Sequence, residues 1–127
     1  MVLWKLFGRI CIKLDGKANV KIIEGETLLV DTIADDEYRY DIENPILWNA
    51  EKPFLYDVVL EKSGEVIALK AGLRKIEISE KFELLINGVP VTLHGVNHHD
   101  TSKYHGWCQN DEELRKDLEL MKDLNIN

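Results

Sequence analysis

The first two thirds of the chain alternate apolar and polar positions with a period of two. In residues 6–14 apolar side chains alternate with Lys and Arg, which is typical of a half-buried β-strand. Six similar runs follow, separated by turn signals rich in Gly, Asp and Asn: residues 18–23, 27–33, 38–42, 55–61, 65–71 and 75–78. Turn signals at intervals of about 8 to 12 residues predict an antiparallel β-sandwich.

One connection in this region differs from the others. Pro45 and Pro53 bracket an apolar segment, residues 46–48. Proline lacks the amide hydrogen that a central strand donates, and it restricts the residue before it. We therefore predict an irregular connection anchored by its apolar side chains.

The pattern changes after residue 78. Residues 82–86 and 89–93 flank the dipeptide Asn87-Gly88, and Asn-Gly supplies the two positive φ angles that a type I′ hairpin turn requires. Residues 95–107 have no periodicity and predict a loop. The second strand of the hairpin therefore leads directly into a polar loop.

A helix is predicted to begin after Asn110. Asn110 can cap the free amides of the first turn, and Glu113 stands at the position that completes a capping box. The helix carries one apolar stripe: Leu114, Leu118, Met121 and Leu124. Such a stripe predicts packing against another surface. The strand, loop and helix are typical of the opening unit of an alternating β/α architecture, and the unfinished pattern at Asn127 favours a fragment.

Composition narrows the classes of partner. The 127 residues carry 16 Lys and Arg against 23 Asp and Glu, a formal charge of −7. An acidic chain argues against nucleic acid and against an anionic membrane as partners. The sequence has no run of the roughly 18 to 20 apolar residues that span a bilayer. Only Cys11 and Cys108 are present, far apart, so we expect reduced cysteines and a cytoplasmic protein.

The candidate chemistry is concentrated in one loop, because all four histidines lie within twelve positions: His94, His98, His99 and His105. Imidazole, thiolate and carboxylate groups bind transition metals, but the spacing matches no zinc-finger pattern, and no metal site is predicted. A second interpretation treats the histidines, His94 and His98 above all, as packed loop residues. In the third, the loop lies at the carboxyl end of a barrel strand, where barrel enzymes bind substrate.

The position of the loop after an apolar strand and before a helix favours the third interpretation. Asn97, His99 and Asp100 would then hydrogen-bond sugar hydroxyls. Trp107 would form an aromatic platform for a sugar ring or, equally, close a core. Glycoside hydrolysis needs two carboxylates, and the loop offers only Asp100. The helix acids are expected to form a solvated, capping face: Asp111, Glu112, Glu113, Asp117 and Glu119.

Several segments resemble glycoside hydrolase family 2. Residues 44–56 read NPILWNAEKPFLY and resemble the family's N-P-x-L-W-(S/N)-A-E-x-P-x-L-Y segment. Residues 72–74, GLR, are similar to its G-F-R signature. Residues 85–88, LING, and 95–100, GVNHHD, resemble its L-N-G and G-V-N-R-H-(E/D) motifs. His105-Gly106 matches the H-G that follows in the β-galactosidase branch.

This resemblance implies a mainly β fold in two parts. Residues 1–78 would form an immunoglobulin-like β-sandwich. Residues 79–127 would form a β-hairpin and one strand–helix unit, the incomplete N-terminal start of a (β/α)8 catalytic barrel. The remaining barrel domain would belong to the parent enzyme, which is expected to be a homo-oligomer.

The resemblance also implies an activity and its residues. The parent would be a retaining β-galactosidase that hydrolyses terminal β-D-galactosides. His99 falls on the family's histidine that contacts the galactosyl sugar, Asp100 falls on the acidic position after it, and His98 stands where the family usually has Arg or Lys. The two catalytic glutamates and the metal ligands of the family lie on later barrel strands, so Mg²⁺ and Na⁺ belong to the parent. We expect no catalytic residue, no cofactor and no activity in this chain alone.

The same residues also suit a second function, carbohydrate binding without catalysis. The chain would be a self-standing, non-catalytic carbohydrate-binding β-sandwich module, in which His99, Asp100 and Trp107 hold a sugar without chemistry. Binding of galactose or lactose by the loop at residues 95–108 would distinguish the two.

Overall fold

The structure, a computed structural model, describes residues 7–127. The start of the predicted first strand, Leu6, lies outside the described residues. The elements in chain order are β1 Phe7–Lys13, β2 Ala18–Glu24, β3 Thr27–Ala34, β4 Glu37–Glu43, β5 Tyr56–Lys62, β6 Glu65–Ala71, β7 Ile76–Ile78, β8 Leu84–Ile86, β9 Val89–Pro90 and α1 Asp111–Asp123. The predicted mainly β fold is confirmed.

Two antiparallel sheets form the predicted sandwich. One sheet pairs β1 with β4, and the other has the strand order β3-β2-β5-β6. Alternate residues of β1, β2 and β5 are buried between the sheets, as period-two alternation requires, whereas β6 is exposed along most of its length. Val20, Ile22 and Tyr56 are completely buried there, and they are faced by Ile10 and Ile42 of the smaller sheet.

The connection between β4 and β5 is irregular, as its two prolines predict. Its backbone is held at two points: the amide of Ile46 donates to Tyr56 Oη at 2.8 Å, and the amide of Trp48 donates to the carbonyl of Leu73 at 2.8 Å. Gly72 makes this approach possible, because a Cβ there would lie 3.2 Å from the Trp48 ring. The connection thus closes one end of the sandwich.

The hairpin follows the sandwich in a third sheet of order β7-β8-β9. Its turn has φ angles of 54° at Asn87 and 80° at Gly88, which confirms the positive-φ pair predicted from the sequence. The Asn87 side chain also joins the hairpin turn to two other segments. Its Nδ2 donates to the carbonyl of Trp48, in the connection between β4 and β5, at 2.9 Å, and its Oδ1 accepts from the amide of Lys75, just before β7, at 2.9 Å.

The strand predicted for residues 89–93 is shorter than expected, since it ends at Pro90. The amide of Val91 still donates to the carbonyl of Leu84 at 2.8 Å, but among the described residues no strand pairs with residues 92–94, which bond Asn127 instead. The amide of Asn127 donates to the carbonyl of His94 at 3.0 Å, and its side chain bonds the backbone of His94 and Thr92 at 2.9 and 3.0 Å. The chain therefore returns after α1 to lie beside residues 92–94.

Helix α1 begins as predicted. Asn110 Oδ1 accepts from the amide of Glu113 at 2.9 Å, and Glu113 Oε2 accepts from the amide of Asn110 at 3.2 Å. Both halves of the capping box are therefore present. Within residues 7–127 no helix is long and apolar enough to cross a membrane.

The face of α1 that the rest of the described chain partly covers is not the apolar stripe, although Met121 belongs to both. The leucines of the apolar stripe are exposed: Leu114, Leu118 and Leu124. The half-covered positions are Glu113, Asp117 and Met121, which follow each other at four-residue spacing. Lys122 Nζ reaches the carbonyl of Ala50 at 3.2 Å, a contact between the helix and the sandwich connection.

Candidate functional site

The histidine-rich loop runs from β9 to α1 and contains a tight local turn. Ser102 and Gly106 exchange backbone hydrogen bonds, with distances of 2.8 and 2.9 Å between amide nitrogen and carbonyl oxygen. Gly106 adopts a φ of 70°, a conformation that glycine accepts without strain. The Ser102 Oγ also accepts from the amides of Tyr104 and His105 at 3.1 and 3.2 Å.

Glu113 fastens this turn to the first turn of α1. Its Oε1 accepts a hydrogen bond from Ser102 Oγ at 2.6 Å, and its Oε2 lies 3.3 Å from His105 Nδ1. These donors favour the ionised carboxylate. The hydrogen bond from Ser102, and after it that from the Asn110 amide, holds the pKa of Glu113 below its usual value.

Asp117 fastens the loop one helical turn later. Its Oδ2 accepts from Gln109 Nε2 at 2.6 Å and lies 3.0 Å from His98 Nε2. The contact with His98, and next that with Gln109, lowers the pKa of Asp117. The Asp117 carboxylate thus binds both His98, near the start of the loop, and Gln109, at its end.

These contacts correct one expectation. Glu113 and Asp117 were predicted to belong to a solvated, capping face of the helix. Glu113 does cap, but both carboxylates also bind the loop. They are four residues apart and therefore share one face of α1. That spacing is the sequence signal for this arrangement, but the partners lie in a loop without periodicity, so only the folded chain shows them.

The three predicted site residues lie together in sequence and point to solvent. Asn97, His99 and Asp100 are all exposed. The Asp100 carboxylate lies 3.3 Å from His98 Nδ1, and the carbonyl of His99 accepts from the amide of Thr101 at 2.7 Å. Within residues 7–127 no hydrogen bond or ion pair joins the side chains of Asn97, His99 and Asp100 to one another.

Trp107 and the two cysteines are further candidate residues. Trp107 is 90% exposed, so it does not close a core. Cys11 and Cys108 are both free thiols. In the part of the chain that the structure describes, no group of three or more His, Cys, Asp or Glu side chains is arranged to hold a metal ion.

A separate cleft lies between the sandwich and the hairpin, and sequence reasoning did not find it. Its volume is about 540 Å³, and Gly8, Leu47, Leu73 and Gly88 are among the residues that line it. Arg74 stands at its edge with its guanidinium 4.7 Å from the centre of the Trp48 ring, a cation–π contact. The cleft forms where four segments that are distant in sequence meet, which no local pattern signals.

Comparison with known proteins gives two adjacent family matches. Residues 9–74 match the family described as glycosyl hydrolases family 2, and residues 76–127 match its TIM barrel domain. Proteins named β-galactosidase are similar in sequence. That of Actinobacillus pleuropneumoniae is 43% identical over 93 residues, which cover 73% of this chain and 9% of that protein. That of Lactococcus lactis is 35% identical over 119 residues, covering 89% of this chain and 12% of that protein.

Solved structures of β-glucuronidases share the fold. The apo enzyme from Ruminococcus gnavus superposes with a TM-score of 0.81 at 21% identity, over 99% of this chain and 23% of that one. The enzyme from Bifidobacterium dentium, complexed with coumarin-3-O-glucuronide, gives a TM-score of 0.76 at 27% identity, over 87% of this chain and 20% of that one.

The chain thus spans about a tenth of the length of the curated relatives that it matches. The first family match alone covers residues 9–74, more than half of the chain, and the second continues it with the motif-bearing hairpin, loop and helix. On this evidence the chain belongs to glycosyl hydrolases family 2.

Proposed function

We propose that the chain is a piece of a β-galactosidase whose parent hydrolyses terminal β-D-galactosides with retention of configuration. One observation carries the proposal: a relative named β-galactosidase is 43% identical to this chain over 93 residues, which cover 73% of it. The structural neighbours named β-glucuronidase have lower identities, 21% and 27% for the two described above. Sequence similarity therefore favours the galactoside.

In this proposal the loop supplies sugar contacts. His99 hydrogen-bonds a galactosyl hydroxyl, since a neutral imidazole donates from one nitrogen and accepts at the other. Asn97 and Asp100 bind neighbouring hydroxyls, with the amide donating and the carboxylate accepting. Their exposure supports this role, because the side chains of Asn97 and His99 are accessible to a ligand.

The hydrolytic step is assigned to the parent enzyme. A retaining glycosidase needs two carboxyl groups about 5 to 5.5 Å apart across the scissile bond. Asp100 is the only acid of the loop, and the nearby Glu113 and Asp117 already bind loop side chains. We assign the acid/base, the nucleophile and any Mg²⁺ or Na⁺ to residues outside this chain, which is then inactive alone and needs no cofactor.

The proposal includes a division of the chain and its partners. Residues 1–78 form the sandwich domain and residues 79–127 begin the barrel, with the β7–β8 pairing joining the two. The rest of the parent's barrel covers the exposed leucines of α1. The parent is proposed to be a cytoplasmic homo-oligomer that acts on a β-galactoside and binds neither nucleic acid nor a membrane.

The first experiment assays the purified chain on chromogenic β-galactoside and β-glucuronide substrates. We expect no turnover of either, because Asp100 is the only acid of the loop and the nearby Glu113 and Asp117 already bind loop side chains. Turnover that survives purification to homogeneity contradicts the assignment of catalysis to the rest of the parent.

The second experiment tests the sugar contacts. Galactose is titrated into ¹⁵N-labelled chain, and we expect saturable shifts confined to the amides of residues 95–108. His99→Ala should abolish them, while His94→Ala, a change at a neighbouring histidine outside the proposed site, should leave them unchanged. Shifts with glucuronate but none with galactose would contradict the proposed sugar.

A carbohydrate-binding module is the second candidate function, and the 90% exposure of Trp107 favours it. An exposed indole beside polar groups is a common platform for a sugar ring. In such a module Trp107→Ala should weaken binding at least as much as His99→Ala. In the galactosidase piece the His99 substitution should have the larger effect.

A further inference from the structure

The ring of His98 lies between two carboxylates. Its Nε2 is 3.0 Å from Asp117 Oδ2, and its Nδ1 is 3.3 Å from Asp100 Oδ1. The side chain is 28% exposed, so the ring is partly enclosed. A neutral imidazole has a single N–H and donates to one of these carboxylates, whereas the imidazolium donates to both.

The two carboxylates belong to different parts of the molecule. Asp117 is on α1, and Asp100 follows His99 in the loop. We propose that His98 is a positioning residue, whose protonated form ties Asp100 and the adjacent His99 to α1, and whose deprotonation releases one of the two contacts. The consequence for sugar binding rests on the proposed function, but the link itself does not.

The other groups around the link set the direction of the pH effect. The titratable groups that contact His98 are Asp100 on its own loop and Asp117 on the helix. Gln109 is neutral and shares Asp117, so it donates to that carboxylate at every pH. The pKa of Asp117 is lowered, so its carboxylate stays ionised in mild acid. The loop is therefore fastened most firmly while His98 carries its second proton, and it loosens when the ring loses that proton.

A second histidine–carboxylate pair, His105 and Glu113, lies nearby, and the test must distinguish its effect from that of His98. The Nδ1 of His105 lies 3.3 Å from Glu113 Oε2. Its ring contacts Ser102 and Glu113, and Glu113 lies one helical turn before Asp117. The amide of Thr101, which donates to the carbonyl of His99 at 2.7 Å, lies between Asp100 and that pair and reports on the loop next to His98.

The test measures the exchange protection factor of the Thr101 amide by NMR at about pH 5.5 and about pH 8, which span the histidine range. Protection factors remove the intrinsic pH dependence of exchange. In the unmodified chain we expect protection to fall about tenfold at the higher pH, which corresponds to one charge-assisted hydrogen bond. The readout is the dependence of this protection factor on pH. A contact that only supports the structure would give the same protection at both pH values.

Variants then assign the profile to His98. His98→Arg carries a permanent cation with several donors and should give high protection at both pH values. His98→Gln has no titrating charge and should give low protection at both. The matched controls His94→Gln and His105→Gln should keep most of the pH dependence at Thr101.

A profile in His98→Arg or His98→Gln equal to that of the unmodified chain would overturn the proposal. So would loss of the profile in His105→Gln alone. If the predicted profiles appear but galactose binds none of the variants or the unmodified chain, the positioning role stands and the proposed sugar contact is wrong. The two failures are therefore distinguishable.

Discussion

The sandwich and the loop–helix region of the chain, residues 91–127, are held together by different forces. Among the described residues, all buried hydrophobic side chains lie between Ile10 and Val58, in the sandwich. Helix α1 has no buried residue, and polar contacts through Glu113 and Asp117 hold it to the loop. Burial of apolar surface is the larger and less pH-sensitive of these forces. The sandwich should therefore be the stable unit, and the region that bears His99 the weak and tunable one.

The largest effect should come from the core of the sandwich. Ile22→Ala removes a completely buried side chain from β2, and substitutions of this kind cost about 2 to 5 kcal/mol. Urea unfolding followed by tryptophan fluorescence measures the loss. The matched control is Ile33→Ala on the neighbouring strand β3, where the side chain is 71% exposed. Equal destabilisation by both changes would show that the sandwich has no specific core.

A smaller effect is expected where the sandwich holds its irregular connection. Tyr56→Phe leaves the amide of Ile46 without its partner, which costs about 1 to 3 kcal/mol.

Burial raises the pKa of Tyr56 to about 12 from 10.0. The unfolded chain ionises first as pH rises, so this tyrosine favours folding below pH 10 and loses that contribution as pH rises through about 12. Stability that falls equally above pH 10 in Tyr56→Phe would refute the assignment.

The loop–helix region should respond to loss of its cap. Asn110→Ala removes the acceptor for the Glu113 amide and should cost about 1 kcal/mol of helix stability. Circular dichroism should show less helix, while the unfolding midpoint of the sandwich stays the same. A matching fall in that midpoint would mean that the two regions unfold as one unit. Asn49→Ala, at an exposed turn of the connection, serves as the control.

The smallest effect should be the acid dependence that Asp117 gives to the loop–helix region. The pKa of Asp117 is lowered from its ordinary 3.8 by His98 and then by Gln109, so the unfolded chain takes up the proton first as pH falls. The stabilising contribution is complete above pH 3.8 and is lost as pH falls through the lower folded pKa. Asp117→Asn should remove this part of the acid transition at the loop amides, and Glu119→Gln should not. Identical acid profiles in all three chains would contradict the role of Asp117.

How far the sequence predicts this molecule depends on how local each feature is. Strands β2 and β6, the positive φ angles of Asn87-Gly88 and the capping box of Asn110 are encoded by neighbouring residues, and the structure confirms them. The leucines of the α1 stripe are exposed in this chain, because hydrophobic periodicity shows which face prefers burial and not which partner is present. The strand predicted to reach residue 93 stops at Pro90 for a related reason, since among the described residues no strand pairs with it beyond that point.

The candidate site divides in the same way. The position of the loop between a strand and a helix pointed to Asn97, His99 and Asp100, the motif resemblance then added roles for His99 and Asp100, and all of these roles stay predictions. The contacts that hold their loop were not predictable, because they join Ser102, His98 and Gln109 to carboxylates that periodicity assigned to solvent. Side chains in a loop without periodicity carry no signal of their partners until the helix is in place.

The central claim is that a self-sufficient sandwich carries a weaker loop–helix region, and native-state hydrogen exchange of the intact chain tests it most directly. The account predicts slow exchange, governed by global unfolding, at the central strands β2 and β5. Amides of α1 should exchange at least about a hundredfold faster, because no buried side chain protects the helix. Protection in α1 equal to that of β5 would contradict the account and show that the helix shares the stability of the sandwich.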